Sequence, residues 1–138
     1  MNTTSKKLQL AYEQTLYIVS WEKGEWILQI GVVNPQFNEW LLENKIQTWA
    51  FITAYNPFSE ALSEKENTKL QSQLERILIK NNYQLWNGRG QGVGNWPAEE
   101  SFFIANIGQE LASKLATDFK QNAYVFGSYN SKPQLIFF

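Results

Sequence analysis

The chain is expected to fold as one α+β domain with a ferredoxin-like, split βαβ core, and three observations predict this. From Thr48 to Ser128 the local patterns run strand, helix, strand, loop, strand, helix, strand. Both helices in that run carry amphipathic stripes. The 138 residues are 43% hydrophobic, with six Trp, six Tyr and nine Phe, enough apolar volume for one core without staples.

The first residues are polar, so residues 1–10 read as a frayed N-terminal segment and 11–138 as the single domain. Leu8, Ala11 and Tyr12 sit at helical spacing and predict a short helix there. Thr15 to Trp21 is rich in β-branched and aromatic residues, the composition of a strand. Gly24 turns the chain, and Trp26 to Ile30 returns as the second arm of a hairpin. Asn34-Pro35 is a helix start: Asn accepts from free amides, and Pro lacks an amide that would go unpaired. Phe37, Trp40 and Leu41 form that helix's apolar face. Thr48 to Tyr55 reads as a central strand, ended by Asn56-Pro57. Ser63 with Glu66 makes a capping box, and Leu70, Leu74, Ile77 and Leu78 follow at i, i+4, i+7, i+8. Tyr83 to Trp86 is a short strand, Gly88 to Pro97 a loop with Gly at 88, 90, 92 and 94, and Ser101 to Ile107 another strand. Leu111, Ala112, Leu115, Ala116 and Phe119 stripe the second helix. Ala123 to Ser128 and Pro133 to Phe138 close the chain as strands. The N-terminal β-hairpin and the extra C-terminal strand are expected to extend or flank the ferredoxin-like sheet.

Composition excludes several chemistries. Without cysteine there are no disulfides or thiolate nucleophiles. Without histidine there is no Ser-His-Asp triad and no imidazole zinc site. A net charge of −1 argues against nucleic-acid binding, which needs a clustered basic surface. No apolar run reaches the roughly 18 residues of a membrane helix, and no apolar segment follows the N-terminal lysines as in a signal peptide. A cytoplasmic protein with no membrane partner is the expectation.

Three short polar motifs stand out: Thr53-Ala54-Tyr55-Asn56-Pro57 with Ser59 and then Asn67; the glycine loop leading to Trp96-Pro97 and Glu99-Glu100-Ser101-Phe102; and Phe119-Lys120-Gln121-Asn122-Ala123. In this order, from about Ala11 to Phe138, they resemble a bacterial family known as domain of unknown function three-two-nine-three. That resemblance implies membership and brings no activity, substrate or cofactor with it. The family more often has Gly where Lys120 stands.

The residues themselves suggest where a site would lie. In the loop 88–97, glycines free backbone amides to face an anion, and Arg89 adds a planar bidentate donor. The loop lacks the Lys-Ser/Thr pair of a P-loop, and no helix follows it as in the dinucleotide fingerprint. In a strand, Glu99 and Glu100 point to opposite faces, while Glu99 and Ser101 share one. Asn56 and Ser59 suit a turn; Asn67 sits inside a helix where Asn is a poor former, a position from which it reaches back to the preceding loop. Gln121 and Asn122 lie at a helix end, where Asn favours a left-handed cap. Each of these has a purely structural reading beside the functional one.

The sequence is therefore expected to encode a binding or regulatory module holding a small anionic ligand or a protein partner. Arg89 would clamp the anion, Glu99 would be its counter-charge or a hydroxyl acceptor, Asn56 and Gln121 would be auxiliary polar contacts, and Ser101, Asn67 and Asn122 complete the candidate ligand-binding residues. Two alternatives come from other classes: an enzyme using Glu99 or Glu100 as general base, and a homo-oligomeric interaction domain built on edge strands. No residue pattern names a cofactor or a metal.

Overall fold

The structure, a computed structural model, describes residues 3–94 and 97–137. Asn95 and Trp96, which belong to the expected glycine loop, lie outside the described residues, as do Met1, Asn2 and Phe138. The order is α1 (Thr3–Gln14), β1 (Leu16–Trp21), β2 (Gly24–Leu28), α2 (Pro35–Glu43), β3 (Thr48–Ile52), α3 (Glu64–Lys80), β4 (Leu85–Gln91), β5 (Glu99–Ala105), α4 (Gln109–Asp118), β6 (Ala123–Ser128) and β7 (Gln134–Phe137), with a 3-10 turn at Pro57–Ser59. Helix α1 begins at Thr3, inside the segment expected to fray.

Local signals place the helix ends. The Asn34 side chain accepts from the Phe37 amide at 3.1 Å, with Pro35 in the first turn. At α3 the box is complete: Ser63 Oγ accepts from the Glu66 amide at 3.1 Å, and the Ser63 amide reaches Glu66 Oε1 at 3.3 Å. The buried stripe of α3 starts polar and ends apolar: Asn67, Gln71, Leu74, Leu78. Its first two members latch the chain after β3, and its last two pack on the sheet.

All seven strands form one antiparallel sheet in the order β2-β1-β4-β5-β3-β6-β7. The sheet curls into a half-barrel, and two contacts show how far. Tyr17 on β1 and Phe51 on β3 lie three strand steps apart, about 14 Å on a flat sheet, yet their ring centroids are 5.4 Å apart. At the opposite edges, the Gly31 amide just after β2 donates to the Pro133 carbonyl just before β7 at 2.9 Å.

This overturns the ferredoxin-like, split βαβ expectation. That fold is an open sheet with helices on one face, whereas here a single curled sheet carries helices on both. On the convex face, Leu74 and Leu78 of α3 and Ala112 and Leu115 of α4 pack on Ala50, Ile52, Phe102 and Ile104. In the concave interior, Phe37 and Trp40 of α2 pack among Leu28, Trp49 and Phe103. Of the two expected placements, extending or flanking the sheet, the hairpin β1–β2 takes the first, through β1–β4 pairing.

The expected loop 88–97 is strand as far as Gln91. Its glycines recur at the strand period of two, and the bare backbone serves packing. A Cβ on Gly88 would sit 2.6 Å from the Ile18 carbonyl oxygen and 2.8 Å from Phe51 Cε2. A Cβ on Gly127 would collide with the Trp49 indole. Both glycines let large rings lie flat across the concave face.

Gly88→Ala and Gly127→Ala are each expected to destabilise the fold by about 1–3 kcal/mol, the range for overpacking. Thermal unfolding should show melting temperatures lower by roughly 4–12 °C. A melting temperature unchanged in both variants would contradict the packing described.

Candidate functional site

The curl leaves a cavity at one mouth of the half-barrel, the end away from the α2 aromatic plug. Its volume is about 340 Å³. Tyr17, Phe51 and Val125 supply apolar wall, and Gly90 and Gly92 contribute space because they have no side chains. Helix α1 covers it with Leu8, Ala11 and Tyr12. The helix is tied down by the Tyr17 hydroxyl, which donates to the Tyr12 carbonyl at 2.7 Å, and by the Tyr12 ring, edge-on to Phe137 at 5.9 Å.

Strand parity decides which polar residues reach this cavity. Glu99 and Ser101 point into it from β5. Glu100 points to the other face and is exposed. Ser101 is buried, and its hydroxyl donates to the Glu99 carbonyl at 3.1 Å. Thr15, Thr53, Ser59 and Gln121 complete the polar part of the lining.

Behind Glu99 stands a hydrogen-bonded hub centred on Asn56. The Asn56 Nδ2 donates to Glu99 Oε2 at 2.7 Å. The Asn56 Oδ1 accepts from the Leu62 amide at 2.9 Å and from Asn67 Nδ2 at 2.8 Å. The Asn56 amide donates back to Asn67 Oδ1 at 2.8 Å. Asn67 thus binds both ends of Asn56 from the first turn of α3, which accounts for a poor helix former at a buried helical position. Gln121 is buried and donates from Nε2 to the Tyr55 carbonyl at 3.0 Å. Asn122 Nδ2 donates to Ser59 Oγ at 3.0 Å, and the Phe58 amide donates to the Lys120 carbonyl at 2.7 Å. The three sequence motifs therefore meet in space.

The loop they hold is strained. Asn56, Phe58 and Ser59 have φ of 47°, 54° and 61°, and Lys120 has φ 58°. Asn tolerates this region, but a bulky residue such as Phe58 occupies it at a cost of about 1–3 kcal/mol. The left-handed residue after α4 is Lys120, where a C-cap at Asn122 was expected, and a glycine would sit there without strain.

Arg89 stands elsewhere. It lies on β4 with its side chain on the convex face, paired with Glu25 at 2.6 Å on an exposed surface. The Arg89 guanidinium holds the Glu25 carboxyl below its ordinary range. Arg89 joins neither Glu99 nor the cavity lining.

Burial pushes the Tyr12 and Tyr17 hydroxyls above the ordinary phenol range, and the negative charge of Glu99 adds to both shifts. Around neutral pH both phenols are neutral hydrogen-bonding groups. The site can thus seat a mostly apolar molecule and hold a donor group on it with a carboxylate whose orientation is fixed. Sequence reasoning named Glu99, Ser101, Asn56, Asn67, Gln121 and Asn122 but missed Tyr12, Tyr17 and Phe51, and it placed Gly90 in an anion-facing loop instead of on a strand face. Alternating glycines at 88, 90 and 92 were the available signal: at period two they mark one bare face of a strand. Among the described residues no group of three or more acidic side chains could hold a metal ion, and no helix is long and apolar enough to cross a membrane.

A family model described as protein of unknown function DUF3293 matches residues 52–124, just over half of the chain, and the chain belongs to that family. The matched segment contains Asn56, Asn67, Glu99, Ser101, Gln121 and Asn122. No curated protein and no solved structure matches the chain.

Asn67→Ala should cost about 1–3 kcal/mol, because it strands the buried Asn56 amide, and thermal unfolding reads it. Arg89→Ala should return the Glu25 carboxyl to its ordinary titration in an NMR pH series. The sign follows from the lowered Glu25 value. The pair stabilises above the ordinary carboxylate range, and that contribution is lost as pH falls through the folded-state value. An unshifted Glu25 in both proteins would contradict the pairing.

Proposed function

We propose that this DUF3293 protein is a small-molecule binding module whose ligand sits in the mouth of the half-barrel, beneath α1. The observation that carries the reading is Glu99: a carboxylate oriented by Asn56 faces a cavity of about 340 Å³ with apolar walls. A few fixed polar groups in a mainly apolar concavity are the general form of small-ligand sites, and barrel mouths are a common place for them. The hub behind Glu99 supports the same reading. Two buried asparagines and a strained loop hold one carboxylate in place.

The binding role expected from the sequence is kept, and its centre moves from Arg89 to Glu99. An anion held by Arg89 would lie on the convex face, competing with Glu25 and exposed to solvent screening. An anion in the cavity would face the Glu99 charge. Ser101, Gln121 and Ser59 remain as polar contacts on the wall, while Asn56, Asn67 and Asn122 act one step back by holding the loop.

Gly90 offers a clean test. Among the described residues a Cβ there would meet only Thr15 Cγ2, at 3.7 Å, so Gly90→Leu fills the cavity without striking their backbone. A thermal-shift screen of small amphipathic metabolites should find ligands that raise the melting temperature. At 100 times the dissociation constant the gain is about 2.7 kcal/mol, which is roughly 5–15 °C for a domain of this size. The shift should vanish in Gly90→Leu and survive in Arg89→Ala. The reverse pattern would place the ligand on the convex face, and a flat screen would count against a small-molecule role.

A further inference from the structure

Resting on the cavity as the ligand site, we infer that helix α1 is a lid hinged at Thr15, which swings off the mouth of the half-barrel while the seven-stranded sheet stays folded. Leu8, Ala11 and Tyr12 are spaced i, i+3, i+4 on one face of α1, and all three line the cavity. Beneath them lies a space of about 340 Å³, where the other helices meet packed side chains. Burial reflects this difference. Among residues 6–14 of α1 none is buried. By contrast α2 buries Phe37, Trp40 and Leu41, α3 buries Leu74 and Leu78, and α4 buries Ala112, Leu115 and Ala116. A helix of 12 residues is marginal in water on its own, so α1 depends on its ties to the sheet.

Among the described residues those ties gather at Ala11 and Tyr12, in the last turn of the helix. The Tyr12 carbonyl accepts from the Tyr17 hydroxyl at 2.7 Å and from the Thr15 amide at 3.2 Å. The Thr15 hydroxyl donates to the Ala11 carbonyl at 2.7 Å. The Tyr12 hydroxyl bonds to Ser59, and its ring meets Phe137 edge-on. Thr15 is the single residue between α1 and β1. Strand β1 pairs on both sides, with β2 and β4, so it gives the hinge a fixed anchor. Segments with few buried apolar contacts open locally, at a fraction of the free energy of global unfolding. A ligand in the cavity supplies the packing that the Leu8, Ala11 and Tyr12 face lacks, so ligand binding and the closed lid stabilise each other.

The chain has no cysteine, so a single introduced thiol reports the opening. Val125→Cys places it on the cavity wall, and Val19→Cys places it in the concave core outside the cavity lining; both valines are buried. Labelling of the full chain by dithiodipyridine, a neutral disulfide, is followed by absorbance in rising urea below the unfolding transition. Val125→Cys should label about a hundredfold faster than Val19→Cys and with a shallower urea dependence, as local opening requires. Adding Tyr17→Phe, which removes the hydroxyl tie, should speed labelling of Val125→Cys roughly three- to tenfold, the worth of one hydrogen bond. Hydrogen exchange of the wild-type chain gives a second reading and decides if a cysteine variant does not fold: the α1 amides should exchange with little urea dependence, and those of β3 and β5 with global unfolding. Labelling of Val125→Cys no faster than that of Val19→Cys, or α1 amides that exchange together with the sheet, overturns the lid. Fast labelling that Tyr17→Phe leaves unchanged means that the reagent enters past a closed helix, and overturns it too. No ligand enters the measurement, so a flat metabolite screen overturns the ligand reading alone.

Discussion

Phe51 crosses the bare backbone of Gly88 and meets Tyr17 at the far side of two intervening strands. On a flat sheet these rings would stand apart, upright from the pleat. Their contact, with the Gly127 gap that admits Trp49, goes with a sheet that curls, and most of the molecule follows from that curl. The concave interior takes α2, whose Phe37 and Trp40 plug one end with a dense aromatic cluster. The other end, where glycines replace side chains, stays open as the cavity. The convex face takes α3 and α4 in an ordinary aliphatic core. One packing relation thus separates a filled end from an open one.

The open end is stiffened by hydrogen bonds instead of apolar volume. Asn56 uses its amide and both side-chain atoms to join Asn67, Leu62 and Glu99. Such a network carries weight because each member left unpaired in a buried setting costs desolvation. The positive φ of Asn56, Phe58 and Ser59 is tolerated because Lys120 and Asn122 clamp the loop from the end of α4. Helix α3, the loop and the strand β5 are therefore coupled through a few polar contacts directly behind the Glu99 carboxylate.

Strand parity sorts the charges. Glu99 and Ser101 share the concave face, while Glu100 and Arg89 fall on the convex one. Arg89 and Glu99 are close in sequence terms, on adjacent strands, yet work on opposite sides of the sheet. The cavity is consequently lined by a carboxylate and aromatic side chains, and the exposed Arg89–Glu25 pair is a surface feature of small energetic weight.

Local chemistry was legible in the chain. The Asn34-Pro35 start, the Ser63–Glu66 box, the stripes of α3 and α4, and the opposed directions of Glu99 and Glu100 all depend on neighbours within one or two turns or one strand period. The three polar motifs were legible as unusual, and they do converge. What pattern could not supply was anything set by distant pairing. Glycines at 88 and 90 look like a loop with amides free to face an anion until β1 and β5 are seen to pair on either side of them. The half-barrel, and with it the cavity under α1, depends on how far a seven-stranded sheet curls, and this is fixed by ring-on-backbone contacts between residues such as Phe51 and Gly88, 37 positions apart. By itself the sequence determined most of the elements, the starts of α2 and α3 and the opposed directions of Glu99 and Glu100; only the tertiary structure decided which faces enclose the cavity and on which side Arg89 falls, because enclosure is a property of long-range packing.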